Sequence, residues 1–140
     1  MTVVGWKLRS QFKEFTMRFA GYAAVFDSPD RGGDVVRAGA FARALKSGLP
    51  ILWQHDARQR IGTVESLSED QRGLRVIATL EADAPRVKPG QGLSFGYRVR
   101  AMDRRKYREL LDLELIEISL VTHPMQPLAR VLSVEPPPPR

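Results

Sequence analysis

The stretch from Leu110 to Val121, LLDLELIEISLV, decides the fold. It alternates with period two, and apolar residues occur in both phases. Leu113, Leu115 and Val121 share one phase, and Ile116, Ile118 and Leu120 share the other. A strand that is apolar on both sides needs cover on both sides, so this one is predicted to be central. Glu117 falls in the phase of Leu113, Leu115 and Ser119. A carboxylate at such a position is costly unless it is paired or hydrogen-bonded. Glu117 therefore calls for a partner: a histidine, an arginine or a cluster of backbone donors. A structural salt bridge to arginine would meet that need as well as a catalytic role would. Glu114, in the opposite phase and nearer the start, reads as a rim charge.

Working outward, Leu93 to Met102 and Tyr107 to Thr122 read as two long strands joined by a basic turn. Before them, Ala82 to Gly92 (ADAPRVKPGQG) has the Pro/Gly content of a loop. Gly62–Leu67 and Leu74–Leu80 flank the polar segment Ser68–Gly73 and predict a hairpin. Leu49 to His55 reads as a strand. Ala40 to Lys46 (AFARALK) places Phe41, Ala44 and Leu45 at helical spacing, with Gly48 set to stop a helix. Phe15 to Phe26 predicts a strand bent near Gly21, followed by turn chemistry from Asp27 to Gly33. The expected architecture is mostly β (α+β): a barrel-like or sandwich-like domain with one or a few accessory helices. It is expected to comprise an N-terminal segment 1–14, a domain 15–131 and a Pro-rich tail 132–140.

The chain's 140 residues suit one domain, and 43% apolar with 27% charged residues is ordinary globular composition. With no cysteine in the sequence, disulfides, thiolate metal sites and cysteine nucleophiles are excluded. No apolar run reaches the roughly 18 residues of a membrane span, and no secretory signal is visible. The formal charge of +6 is local: Arg98, Arg100, Arg104, Arg105, Lys106 and Arg108 stand against Asp103 alone. One basic turn is not the broad basic face of a nucleic-acid binder. It reads first as a solvated hairpin tip and second as a contact for an acidic partner.

Three residue types remain that could carry chemistry. His55, one of only two histidines, leaves a strand whose phase it shares with Ile51 and Trp53. It could be a general base or a capped core residue. Ser94 lies in GLSFG, with glycines at 92 and 96 that permit tight geometry and close approach of a substrate. The hydrolase elbow of that form needs a following helix, and here strand residues follow, so alone this reads as a bulged strand start. With Glu117, these are the parts of nucleophilic acyl transfer: a weak hydroxyl, a base to take its proton, and a third group to hold the base.

Four blocks carry a family resemblance. They are Gly21–Asp27 (GYAAVFD) with Gly33–Phe41 (GDVVRAGAF), Leu52–Asp56 (LWQHD) with Ile61–Val64 (IGTV), Gly92–Tyr97 (GLSFGY), and Leu113–Pro124 (LELIEISLVTHP). In this order they resemble the tailed-phage prohead (procapsid maturation) serine proteases, a family similar in fold to the herpesvirus assemblins. The resemblance spans about residues 15 to 131. It implies a β-barrel surrounded by helices and a serine endopeptidase acting on scaffold, or on the scaffold-like arm of the major capsid protein. That activity would lie inside the procapsid, in the bacterial host cytoplasm. It implies Ser94 as nucleophile, His55 as general base and Glu117 as third member, with His123 a rival because assemblins use a second histidine there. No cofactor, metal or membrane is implied, nucleic acid is the least favoured partner, and the assemblin relationship is consistent with a homodimer. The competing expectation is a non-catalytic procapsid component of the same fold.

Overall fold

The computed structural model describes residues 17–136; the segment 1–14 and residues 137–140 of the tail lie outside the described residues. Among the described residues eight strands are formed: β1 Arg18–Val25, β2 Asp34–Val36, β3 Pro50–Trp53, β4 Asp56–Glu69, β5 Gly73–Leu80, β6 Gly92–Arg104, β7 Arg108–Val121 and β8 Val131–Glu135. β6 occupies one edge of β7 along its length. The other edge is shared: β2 pairs in parallel with Arg108–Leu110, and β3 in parallel with Ile118–Leu120. From β3 the sheet runs antiparallel through β4, β5, β1 and β8. The ring then closes, because Leu93 N donates to Ala129 O at 2.9 Å and Val131 N donates to Gln91 O at 2.8 Å. Closure removes most of the exposed edge that such a sheet would otherwise present.

The interior is filled by Phe19, Phe41, Ile51, Leu74, Leu93 and Ile118, among others, all essentially inaccessible to water. Gln126, also buried, completes the wall like a short strand: it accepts from Val25 N at 2.9 Å and donates to Val25 O at 2.7 Å.

The expected helix is absent, and no helix occurs among the described residues. Residues 40–46 form successive turns whose bonds reach three residues back, Ala42 N to Gly39 O and Ala44 N to Phe41 O. Seven residues are too few to nucleate a helix unaided, and tertiary partners take the backbone instead. The Glu69 carboxylate accepts from Gly39 N and Phe41 N, each at 2.7 Å, and Ala40 O accepts from Leu113 N at 2.9 Å. The apolar spacing still predicts burial correctly at Phe41 and Ala44, but not at Leu45, which is exposed. The last strand, β8, continues to Glu135, beyond the boundary drawn at 131.

A second correction concerns β7. Tyr97 pairs with Leu115 and Gly96 with Glu117, so Ile116 has no partner on β6. It is a β-bulge, and one extra residue exchanges the faces on either side of it. Leu113 and Leu115 therefore point into the barrel together with Ile118 and Leu120, all four in the core. Ile116, expected under cover, is 43% exposed. Glu117 and Ser119 face away from Leu113 and Leu115, on the outside of the ring with their register partners Gly96 and Ser94.

Candidate active site

On that outer face, Ser94 stands directly opposite Ser119. Side chains so paired lie about 5 Å apart at Cβ. Both are buried, Ser94 with 8% and Ser119 with 0% exposure. The glycines beside Ser94 make room for the chain itself rather than for a substrate. A Cβ on Gly92 would press on Val121 O and the Pro124 ring, and one on Gly96 on the Glu117 side chain.

His55 arrives from the other side of β7. β3 ends at Trp53, and Trp53 pairs with Asp56, leaving Gln54 and His55 as a two-residue hairpin turn. Both have positive φ, 54° and 60°. That is the backbone sign pattern of a type I′ turn, which normally selects Asn or Gly. His55 thus does not continue the phase of Ile51 and Trp53, as a regular strand would require. The unusual conformation is held from β7. Gln54 N donates to Leu120 O at 2.9 Å, Thr122 N donates to Gln54 Oε1 at 3.2 Å, and His55 N donates to Ser119 Oγ at 3.2 Å. Strained backbone of this kind concentrates at functional sites.

The turn brings His55 Nδ1 to 2.6 Å from Glu117 Oε1. Glu117, only 6% exposed, has its second oxygen satisfied by Ser119, whose hydroxyl donates to Oε2 at 2.5 Å. The partner that the sequence demands for this carboxylate is therefore a histidine and not an arginine. The hydrogen bond to Glu117 raises the His55 pKa above the usual imidazole value; partial burial opposes this, and the carboxylate's charge adds to it. With Nδ1 committed to the carboxylate, Nε2 is left to exchange a proton, and the imidazole side chain retains 44% exposure. Among the described residues no hydrogen bond joins Ser94 Oγ to the ring. His123 lies past the end of β7, exposed. Among the described residues it has no hydrogen bond to Glu117 or Ser94. No group of three or more His, Asp or Glu is arranged for a metal ion among the described residues.

The arrangement can do one kind of chemistry well. A buried carboxylate fixes one imidazole nitrogen, the other nitrogen meets solvent, and a serine stands one strand away. The family model for caudovirus prohead serine proteases matches residues 6–136. The chain belongs to the caudovirus prohead serine protease family. It is similar to the prohead protease of Enterobacteria phage HK97, 29% identical, with 84% of this chain and 60% of that protein covered. In fold it is similar to KSHV protease, solved in complex with a hexapeptide phosphonate inhibitor. The TM-score is 0.61 at 11% identity, over 86% of this chain and 65% of that one. The chain thus spans less than two thirds of each of these relatives. Ser119 was not singled out from sequence as a participant, and Gly96 was read only as a glycine flanking Ser94, not as a neighbour of Glu117. Their signal is period two: Gly96 follows Ser94, and Ser119 follows Glu117, by two residues on a strand.

Proposed function

We propose that this protein is a serine endopeptidase of procapsid maturation, cutting scaffold or the scaffold-like arm of the major capsid protein inside the immature shell. Ser94 attacks the scissile carbonyl. His55 accepts the serine proton at Nε2 and returns it to the leaving amine. Glu117 holds the tautomer with the proton on Nδ1 and stabilises the imidazolium. The observation that carries this reading is the 2.6 Å bond from His55 Nδ1 to Glu117, formed on the face where Ser94 stands. Unliganded sites often leave the nucleophile–base contact loose, and it tightens when substrate binds.

The test is incubation of the purified chain with its cognate capsid and scaffold proteins. A discrete truncated product is expected, and Ser94→Ala should slow its formation by about 10⁴- to 10⁶-fold without unfolding the protein. Undiminished cleavage by Ser94→Ala removes Ser94 from the mechanism. A second reading, a non-catalytic procapsid component of the same fold, draws on the missing bond between Ser94 and His55. It predicts binding to the same proteins and no product.

A further inference from the structure

The Glu117 carboxylate is gripped from two sides by residues that exchange no proton with substrate. Ser119, fully buried on the same face of β7, makes two bonds with its hydroxyl. It donates to Glu117 Oε2 at 2.5 Å and accepts from His55 N at 3.2 Å. It therefore ties the carboxylate to the backbone of the residue that the carboxylate must meet. Across the ladder, Gly96 is the register partner of Glu117. Gly96 is not among the positive-φ glycines, so conformation does not require glycine there. Space does: a Cβ at 96 would overlap Glu117 Oε1 and lie 2.9 Å from its Cδ and 3.1 Å from its Cγ.

We propose that Ser119 and Gly96 are the positioning residues of this site. The hydroxyl fixes Oε2 and the His55 backbone together, and the bare Cα of Gly96 leaves the space in which the Glu117 side chain lies to present Oε1 to Nδ1. The proposal rests on the protease reading for its purpose, but the geometry it asserts is testable without turnover. A misplacement of about 1 Å in such a group costs about 10²-fold in rate.

The experiment is proton NMR of the full chain in a Ser94→Ala background, with His123→Gln so that one imidazole remains. The parent is expected to show a slowly exchanging, downfield His55 Nδ1–H resonance and a titration midpoint above the ordinary histidine value. Ser119→Ala should remove that resonance and bring the midpoint down. Gly96→Ala should do the same from the opposite strand, and Ser119→Thr, which keeps the hydroxyl, should restore both. With Ser94 present, Ser119→Ala should lower kcat about 10²-fold and leave KM unchanged. Melting curves identify any variant that fails to fold, and the variant on the other strand then carries the test. Resonance and midpoint unchanged in a folded Ser119→Ala or Gly96→Ala protein overturn the proposal, even if kcat falls, because that pattern describes packing alone. Proteolysis surviving Ser94→Ala would sink the protease reading instead and leave the NMR result to decide the positioning.

Discussion

The two ends of the β6–β7 hairpin share one ladder and have little else in common. At the base, on the face shared with Ser94 and Gly96, both oxygens of the buried Glu117 carboxylate are satisfied, one by His55 and one by Ser119. At the tip, ion pairs are open to solvent, Arg100 with Glu114 at 3.1 Å and Arg105 with Asp103 at 3.3 Å, while Arg108 forms a part-buried bidentate pair with Asp34 at 2.7 Å and 2.8 Å where the hairpin meets β2. Exposed pairs contribute about 0–1 kcal/mol each, whereas removing one partner of a buried pair costs several. The comparison teaches that the charge most conspicuous in the sequence is not where position matters most. Acids of β7 and β2 answer part of the basic run. Arg98, Arg104 and Lys106 have no carboxylate within ion-pair distance among the described residues.

The largest expected effect breaks the boundary between the two ends. Deleting Ile116 removes the bulge, so either Leu113 and Leu115 or Glu117 and Ser119 must change face. Loss of the cooperative melting transition and of all cleavage is expected, while a two-residue insertion at Arg105–Tyr107 should leave both intact. A ΔIle116 protein that melts and cleaves normally would show that the exchange of faces is not needed.

Next in size is Glu117→Gln, which preserves shape and removes the charge. It should lower kcat by about 10⁴-fold, as expected when the base is held in the wrong tautomer. The pH dependence sharpens this. His55 must be neutral to accept a proton, and its pKa is raised, so the acid limb of kcat/KM should fall above the ordinary imidazole range. Glu117→Gln should move what remains of that limb downward. For stability the sign is opposite. The contribution from protonated His55 is fully present below the unfolded-state pKa and is lost as pH rises through the higher folded one. Melting at graded pH, parent against His55→Gln, checks that direction.

The smallest effect belongs to the tip. Replacing Arg98, Arg104 and Lys106 by Ala should change stability by no more than about 0.5 kcal/mol per site and leave cleavage unchanged. A steeply salt-dependent affinity for DNA that these changes abolish would restore the nucleic-acid reading.

Much of this was legible in the residues. The hairpins over Gly62–Leu80 and Leu93–Thr122 follow from period-two patterning and turn chemistry, which are local properties. So does the expectation that Glu117 is buried and needs a partner. The illegible parts are set by tertiary contacts. The bulge at Ile116 cannot be seen in LELIEISL, because any residue of an alternating run can be the unpaired one and only the partner strand chooses. The Gln54–His55 turn lacks the usual Asn or Gly because Leu120, Ser119 and Thr122 supply its hold from outside. The helix expected at Ala40–Lys46 lost to the Glu69 carboxylate and to Leu113, both far along the chain.

The stitch between Gln91–Leu93 and Ala129–Val131 has a consequence for timing. The strand bearing Ser94, the proposed nucleophile, is seated against a segment translated well after it. A growing polypeptide that has not yet reached residue 131 cannot complete the wall behind Ser94. On the proposed protease reading, a nascent chain short of that point would lack a closed barrel and stay latent until synthesis has passed it.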